Sequence, residues 1–247
     1  MKKLLTIWLG LLLGACSSTS VAPSGAEPVE RPDDSGGFVF VFLRGGPAEA
    51  TIEAEEMQTV RAGHFANMRK LQEQGWLMLA GPFGTPRAEP DLRGIFIFDT
   101  DDVAHAESLC STDPAVEADT LVADAYSWES PDAIDHLLEL DLEVKAEREA
   151  RGEEGFQGRA YVLVTAAQGE AAAAAIDPLV RDGRVLFRGT LGETRRGELL
   201  FLLDATDLDE ARELLEFAES SAARPIEWTL HPWWGTNVLE QLPTVRS

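Results

Sequence analysis

The stretch FVFVFLRGGP at residues 38–47 decides the fold class of this chain. Its first six residues are apolar, and the Arg-Gly-Gly-Pro that follows breaks the run, as is typical of a buried strand and its turn. Because apolar side chains occupy both alternating sets of positions, both faces of the strand need cover. Residues 95–98 and 199–203 have the same character. Helices on one face of a sheet cannot satisfy such strands alone.

Outward from this stretch, strands and helices alternate. Apolar residues at three- and four-residue spacing predict the helices, and short apolar runs bounded by Gly, Pro and Asp predict the strands. The order β-α-β-β-α-β is that of a ferredoxin-like split βαβ module, which predicts an α+β fold. The predicted elements are strands at 38–43, 76–83, 94–99 and 120–128 and helices at 53–74 and 101–112.

A second series of the same elements follows a predicted connecting helix at 131–152. Leu-Ala-Gly-Pro-Phe-Gly at 79–84 aligns with Phe-Arg-Gly-Thr-Leu-Gly at 187–192. Identities are few, so two unrelated α+β domains are the alternative, but the shared element order favours an internal duplication. The second-series elements are strands at 161–165, 185–191, 198–204 and 226–234 and helices at 171–181 and 207–218.

The two modules should pack on each other through the sheet faces that their helices leave bare. One module carries helices for a single face, while its strands are apolar on both. The other module lies on the same chain, at high effective concentration, with an equally bare face. We therefore predict two tandem ferredoxin-like βαββαβ modules that form an intramolecular dimeric α+β barrel. Such a chain would be a monomer and an internal pseudo-dimer.

The N-terminus has the layout of an export signal. Residues 1–15 combine a Met-Lys-Lys start, an apolar run and the small residues Gly14 and Ala15, directly before Cys16. Leu-Gly-Ala-Cys resembles the bacterial lipoprotein signal, in which the cysteine becomes the acylated mature N-terminus. The resemblance implies a lipid anchor that attaches the protein to the membrane, and Ser17 suits the outer membrane, facing the periplasm. An ordinary secreted protein with a coincidental cysteine is the alternative.

The amino-acid composition limits the binding partners and the kinds of chemistry that we expect. The formal charge of −22, from 43 acidic against 21 basic residues, predicts an anionic surface that phosphate backbones repel, so we expect no nucleic acid. Residues 16–37, rich in Ser, Pro, Gly and Glu, predict a flexible tether. With Cys16 lipidated, Cys110 is the other cysteine, so no internal disulfide is expected. The sequence has no metal-ligand spacing, P-loop or dinucleotide-binding glycine motif, so we predict no metal and no cofactor.

Four short motifs of the first module carry a family resemblance. They are His-Phe-Ala-Asn-Met at 64–68, the 79–84 segment, Leu-Arg-Gly-Ile-Phe at 92–96 and Thr-Asp-Pro at 112–114. Together they make residues 38–129 resemble the YciI, or YCII-related, family. The resemblance implies a dimeric α+β barrel, usually built from two identical subunits, with an active site around a histidine of the first helix.

The second module resembles the family less. Aligning Gly189 with Gly81 places Ala172 where His64 would be, and the helix there is short and alanine-rich. His-Pro-Trp-Trp-Gly at 231–235 nevertheless resembles the aromatic close of many family members. The family features are divided between the halves, and the resemblance implies one histidine site, in the first module.

His64 and Asp113 are the candidate catalytic pair. His64 lies on the apolar stripe of the first helix, where a titratable ring needs a partner, and the resemblance implies an acid, base or substrate-binding role. Asp113 would orient the ring. The alternatives are a satisfied core histidine and a turn residue that ends the second helix before Pro114.

Five further residues are candidates for substrate binding. His231 and Trp233 should face the cleft between the modules, although the tryptophan could serve only as a plug at the barrel end. Gly81 and Pro82 shape the turn that leaves the second strand, which is a structural role first. Arg93 at a strand entrance could hold an anionic substrate or be an ordinary surface cation.

The sequence supports two functions. The favoured one is an envelope lipoprotein whose fused barrel binds a small molecule or serves a structural role without catalysis, since the second module lacks the histidine. The alternative is a small-molecule enzyme of isomerase or lyase type that uses His64 for proton transfer in a cleft between the modules. The predicted domains are the signal at 1–15, the tether at 16–37, the first module at 38–129, the linker helix at 130–156, the second module at 157–235 and a C-terminal tail at 236–247.

Overall fold

The computed structural model describes residues 37–242 except 133, 154, 156, 221 and 223 and the side chain at 135. The predicted signal, Cys16 and all of the tether but Gly37 lie outside the described residues. The strands are β1 (Phe38–Gly45), β2 (Leu77–Pro82), β3 (Leu92–Phe98), β4 (Leu121–Glu129), β5 (Gly158–Ala166), β6 (Val185–Leu191), β7 (Leu199–Leu203) and β8 (Trp228–Thr236). The helices are α1 (Ala54–Glu73), α2 (Val103–Cys110), α3 (Pro114–Glu117), α4 (Leu137–Ala150), α5 (Gly169–Arg181) and α6 (Leu208–Glu219).

All eight strands belong to one sheet, in the order β2-β3-β1-β4-β6-β7-β5-β8, and the paired strands run antiparallel. The two edge strands also approach each other. Phe83, directly after β2, forms a bridge with Trp233 of β8, and the Gly84 N–H donates to the Pro232 carbonyl at 2.7 Å. The sheet is therefore a nearly closed barrel, and the predicted α+β class is confirmed.

Alternation along the strands divides the apolar side chains into a barrel interior and two outer layers. Phe40 and Phe42 of β1 point into the barrel and share one cluster with residues of the second half, including Phe187. Val39 and its neighbours pack with residues of α1 and α2, whereas Val164 and its neighbours pack with residues of α5 and α6. Both faces of the sheet are covered, as strands that are apolar on both sides require.

The region after the second helix differs from the prediction. We expected that helix to reach Thr112, with Asp113 as its stop, but α2 ends at Cys110. Asp113 instead caps the short helix α3, because its Oδ1 accepts a hydrogen bond from the Ala115 N–H at 2.9 Å. Pro114 suits the first helical position, where an N–H would have no helical partner. A residue predicted to end one helix therefore begins another.

The C-terminal boundary also differs. Strand β8 runs to Thr236, and a 3-10 helix follows at Asn237–Gln241. Val238 and Leu239, which we assigned to a tail, are 2% and 0% exposed and belong to the barrel-interior cluster. Residues 236–242 are therefore part of the packed fold, because the side chains of Val238, Leu239 and Leu242 are buried in the barrel-interior cluster.

The connecting helix is shorter than predicted. A 3-10 turn at Ile134–His136 leads into α4, and Ile134 and Leu137 are buried in the barrel-interior cluster. Before the turn, the Asp132 carboxylate accepts a hydrogen bond from the Arg188 N–H at 2.7 Å. The linker is therefore attached to the second half at its start. Across the described residues, no helix is long and apolar enough to cross a membrane.

Candidate functional site

His64 and Asp113 meet in the outer layer of the first half. Nδ1 of His64 lies 2.6 Å from Oδ2 of Asp113, and the two side chains are 16% and 1% exposed. The other carboxylate oxygen accepts the hydrogen bond from Ala115 N. With both oxygens engaged, the carboxylate is fixed in place, so it orients the imidazole and favours the tautomer that carries its proton on Nδ1.

Helices α1 and α3 bring this pair together. Gly63, one residue before His64, faces Pro114, and a Cβ at position 63 would lie 2.8 Å from Pro114 Cγ. The missing side chain lets α1 approach the start of α3, where Asp113 is the N-cap. The sequence identified both members of the pair, but not the short helix that presents the carboxylate.

The His64 ring lies on the helix-facing side of the sheet. It stacks on Phe96 with centroids 6.0 Å apart and planes at 22°, and it meets Phe65 edge to face at 5.5 Å. Phe96 belongs to the helix-side cluster, whereas Ile95 and Ile97 on either side of it belong to the barrel interior. Strand parity therefore places His64 on the helix-facing side of the sheet. It does not lie in the cleft between the halves, which is where we predicted it.

His231 lies in the barrel interior and is not part of this pair. Its side chain is 2% exposed, and its ring is tilted against Phe83 at a centroid distance of 5.3 Å. Burial lowers the pKa of His231 to about 4, because the imidazolium loses its hydration in this environment. At neutral pH His231 is an uncharged ring inside the barrel.

Trp233 fills the space above a glycine where the two edge strands meet. Its Cζ2 lies 2.5 Å from the position that a Cβ on Gly81 would occupy, and its ring packs 5.9 Å from Tyr161. Trp233 is 1% exposed, which favours the alternative of a plug over a pocket wall. Gly81 is required here because the indole leaves no room for a side chain.

The junction between β4 and β6 repeats this arrangement. Trp128 covers Gly189, and a Cβ on Gly189 would lie 2.5 Å from Cε2 of the indole. The Gly192 N–H donates to the Ser127 carbonyl at 2.9 Å, as the Gly84 N–H does to its partner at the other junction. We call these two junctions the β2–β8 seam and the β4–β6 seam.

Arg93 is occupied by an ion pair outside the His64–Asp113 pair. Its Nε and Nη2 donate to the two carboxylate oxygens of Glu49 at 2.7 Å each, and its Nη1 donates to the Pro90 carbonyl at 2.9 Å. The Arg93 guanidinium lowers the pKa of the Glu49 carboxyl. These contacts favour the alternative of a surface cation.

A large cavity that we did not predict lies beside β2 and the end of β8. It has a volume of 1020 Å³ and is lined by residues of α1, β2, α4 and the end of β8. Phe65 and Trp234, 56% and 46% exposed, line it together with Gly81 and Pro82. A signal was present in the sequence, since Phe65 lies off the apolar stripe of α1 and Trp234 has the opposite strand parity to Trp233.

Comparison with known families identifies the first half. Residues 38–127 match the family model of the YCII-related domain. This segment is a YCII-related domain. The predicted resemblance is confirmed for these residues. The YCII-related domain contains His64, Gly81, Pro82, Arg93 and Asp113, whereas His231 and Trp233 lie beyond it.

Solved structures resemble the chain only distantly. Two mutant forms of chlorite dismutase from Candidatus Nitrospira defluvii match with TM-scores of 0.49 and 0.47 and identities of 13% and 10%, over 85% and 87% of this chain and 96% and 97% of theirs. The siroheme decarboxylase NirDL matches with a TM-score of 0.40 and 9% identity, over 84% of this chain and 78% of its own. No curated protein sequence gives a significant match. Structural similarity at this level does not indicate a function for this chain.

The second half has no histidine at the position that aligns with His64 of the YCII-related domain. Ala172 stands there, 0% exposed within the helix-side cluster of the second half. Helix α5 spans 13 residues, against 20 for α1.

The described part of the chain was compared with the requirements of a metal site and of a reactive cysteine. No group of three or more His, Cys, Asp or Glu residues there is arranged to hold a metal ion. Cys110 is buried, and burial raises the pKa of its thiol to about 12. Burial therefore favours the protonated form of this thiol, which is a weak nucleophile.

Proposed function

We propose that the YCII-related domain binds a small molecule through the His64–Asp113 pair, and that the second half has no equivalent site. The observation that carries this proposal is the 2.6 Å contact between Nδ1 of His64 and a carboxylate that is 1% exposed. Burying a carboxylate is unfavourable unless it is partnered and hydrogen bonded. Here the partner is an imidazole that keeps some contact with solvent, as a ligand-binding group must.

The arrangement leaves the Nε2 edge of the ring for a ligand. Nδ1 faces Asp113, and no hydrogen bond joins Nε2 to any residue of the described region. An oriented imidazole can accept a hydrogen bond there when neutral and donate one when protonated. Phe65 and Phe96 flank the ring. A ligand with one polar group beside a flat apolar part fits this environment.

Proton transfer is the second candidate function. A buried carboxylate on Nδ1 holds the imidazole in the correct tautomer and stabilises the imidazolium that forms when Nε2 takes a proton. The His64–Asp113 pair has this arrangement. An isomerase- or lyase-like reaction on a small molecule would use Nε2 as the proton acceptor or donor.

A thermal-shift screen of small organic acids, amides and aromatic metabolites tests both candidates. Ligands of the site should raise the Tm of the wild type and of His136→Ala, but not that of His64→Ala. His136 is the matched control because it is an exposed histidine, with 55% of its side chain accessible. The proposal fails if no compound shifts the Tm, or if every shift survives His64→Ala.

Proton NMR of each hit then separates binding from catalysis. Hits that remain unchanged during incubation with the protein favour a binding role. Hits that are converted by the wild type and not by His64→Ala favour proton transfer.

We also propose that the barrel consists of two tandem ferredoxin-like modules in one chain, related by duplication. The order β2-β3-β1-β4 of the first half has the same pattern as β6-β7-β5-β8 of the second. A tryptophan covers a glycine at both seams. Such a chain needs no second copy to close its barrel, so sedimentation equilibrium should give the mass of one chain. A stable two-chain mass would contradict the internal pseudo-dimer.

For the N-terminus we propose lipidation of Cys16 and attachment to the outer membrane, facing the periplasm. The support is the sequence alone, with small residues and Cys16 directly after an apolar run. Bacteria grown with labelled palmitate should incorporate label into the wild type and not into Cys16→Ala, and the labelled protein should sediment with outer membranes. Label in the variant, or none in the wild type, would exclude the anchor.

A further inference from the structure

We propose that the free edge of β2 binds an extended peptide segment with uncharged, apolar side chains, which pairs with the backbone of Ala80 in the cavity between α1 and α4. All of β2 (Leu77–Pro82) lines this cavity, together with residues of α1, α4 and the end of β8. Strand β2 is one edge of the sheet and pairs with β3 on its other side. An edge strand whose free side faces a cavity can add a further strand.

The free side of β2 carries the N–H and C=O groups of Ala80. The Phe83 N–H donates to the Arg93 carbonyl at 2.8 Å. Because ladder bonds alternate along an antiparallel pair, Gly81 and Leu79 also bond to β3, whereas Ala80 between them points its N–H and C=O away from β3. Among the described residues, no hydrogen bond from another element reaches either group. Ala80 therefore offers one donor and one acceptor to a ligand.

The equivalent edge in the second half is occupied by peptide of this chain. Arg188 of β6 aligns with Ala80 when the seam glycines are aligned. The Arg188 N–H donates to the Asp132 carboxylate at 2.7 Å, and the Arg188 carbonyl accepts a hydrogen bond from the Ser130 hydroxyl at 2.8 Å. The segment that follows β4 thus satisfies the free side of β6, and a peptide is the occupant that this comparison favours for β2.

The course of β8 explains why the edge of β2 is left uncovered. Strand β4 ends at Glu129, directly after its seam tryptophan, and the chain then turns onto the edge of β6. Strand β8 instead continues past Trp233 to Thr236 and stays paired with β5 over that length. The cavity therefore takes the place beside β2 that residues 130–132 take beside β6.

The side chains around this edge suit an apolar and uncharged ligand. Phe65 and Trp234, 56% and 46% exposed, line the cavity with Met68 and Val144. Exposed apolar residues that cluster in a concave site are typical of binding sites. The formal charges of the lining cancel, since they come from Arg69, Lys145 and Arg148 against Asp141, Glu149 and Glu153. The lining therefore has no preference for an anion or a cation.

The cavity is held open by contacts between its own walls. Asp141 on α4 accepts hydrogen bonds from Gln72 on α1 at 3.0 Å and from the Thr236 hydroxyl at 2.9 Å. One carboxylate thus connects α1, α4 and the end of β8, so the walls need little ordering when a peptide binds. His64 does not line the cavity. The peptide site therefore does not depend on the His64–Asp113 pair.

Heteronuclear NMR titrations with blocked amino acids test the proposal. The protein is residues 16–247 with Cys16→Ser, which keeps all three apolar clusters and needs no detergent. In N-acetylphenylalaninamide a single residue offers both an N–H and a C=O, so the Ala80 amide proton should move downfield as it gains an acceptor. The ester analogue O-acetylphenyllactamide lacks that N–H and should bind about fivefold more weakly. N-acetyllysinamide and the α-amide of N-acetylglutamate should both bind more weakly than the phenylalanine probe.

Variants show where the probe binds. Ala80→Pro removes the free N–H without breaking a bond to β3, which edge strands tolerate, and should abolish binding. Trp234→Ala should weaken binding by about tenfold. The control Phe217→Ala removes an exposed aromatic ring outside the cavity lining and should bind normally. His64→Ala should also bind this probe normally, so failure of the proposed His64 site leaves the peptide site open, and the reverse.

Three results would overturn the proposal: an Ala80 amide proton that does not move, an ester that binds as tightly as the amide, or equal losses in Trp234→Ala and Phe217→Ala. The ester tests the backbone pairing on the unchanged chain, independently of how Ala80→Pro folds. An Ala80 signal that moves with protein concentration alone would mean that this edge pairs with a second copy of the chain, which would also overturn the proposal.

Discussion

The two halves of the barrel share a sheet plan but differ in the helices that cover it. Helix α1 has 20 residues and carries His64, whereas α5 has 13 and buries Ala172 in the equivalent place. The strands repeat their order, and the seams repeat their tryptophan and glycine. Seam and interior residues contact the opposite half, while each helix-side cluster contains residues of one half only. Closing the barrel therefore constrains the strands of both halves, whereas the helical layers differ between them.

The largest expected effect is at the seams. Gly81→Ala and Gly189→Ala should each destabilise the protein by about 3 kcal/mol or more, because the added Cβ would overlap an indole that cannot move out of the interior. Gly84→Ala is the matched control, since a Cβ there would lie 3.2 Å from Pro232 Cβ and needs only a small adjustment. Urea denaturation measures all three. If one seam tolerates alanine, the two seams are not equivalent, and the two halves do not share this packing requirement.

His231 of β8 should make the free energy of unfolding depend on pH. His231 lies two residues before the seam tryptophan Trp233, and burial lowers the pKa of His231 from its ordinary 6.5 to about 4. The folded state therefore favours neutral His231, and its stabilisation is complete above pH 6.5 and declines as the pH falls towards 4. The loss should reach about 2–3 kcal/mol near pH 4.5.

His231→Phe provides the test of this pH dependence, because phenylalanine keeps an aromatic ring without a titrating group. Subtracting its free energy of unfolding from that of the wild type between pH 7 and 4.5 cancels the carboxylates common to both proteins. The difference should change in favour of the variant as the pH falls. Parallel curves would mean that His231 titrates in the fold as it does in the unfolded chain.

The strand pattern could be predicted from the sequence because buried strands have a simple signature. Runs such as Phe38–Gly45 are apolar at both parities, and that alone indicated cover on both faces. The helical layer was less predictable, since α3 is a single turn created by the Asp113 cap and the Pro114 that follows it. A helix of four residues is too short to show the three- and four-residue spacing of apolar side chains from which helices are predicted.

The sequence predicted which residues form the candidate site, but not where in the fold they meet. His64 and Asp113 were both identified, but the face of the sheet on which they meet depends on the parity of β3. The cavity beside Phe65 was not predicted, because it is assembled from α1, α4 and β8. Distances between elements so far apart in sequence are fixed only by the tertiary packing.

A smaller effect distinguishes the buried histidine pair from an exposed ion pair of the same half. A double-mutant cycle with His64→Ala and Asp113→Asn should give a coupling free energy of about 1–2 kcal/mol, because the carboxylate is 1% exposed. The same cycle on Arg93 and Glu49, 26% and 34% exposed, should give less than about 1 kcal/mol because solvent screens the charges. Equal couplings would mean that the His64–Asp113 pair is no more than another surface contact.

The smallest effect should be equal in the two halves. Asp102 and Asp207 cap α2 and α6, and each carboxylate accepts hydrogen bonds from two backbone N–H groups of its helix. Asp102→Ala and Asp207→Ala should therefore each destabilise the protein by about 1 kcal/mol, and the corresponding asparagine variants by much less. Thermal and urea unfolding at neutral pH measure both pairs. Equal losses would show that α2 and α6 begin with caps of equal strength, although α1 and α5 differ in length. A loss confined to Asp102→Ala would instead mean that the two halves differ at the second helix as well and share only the order of their strands.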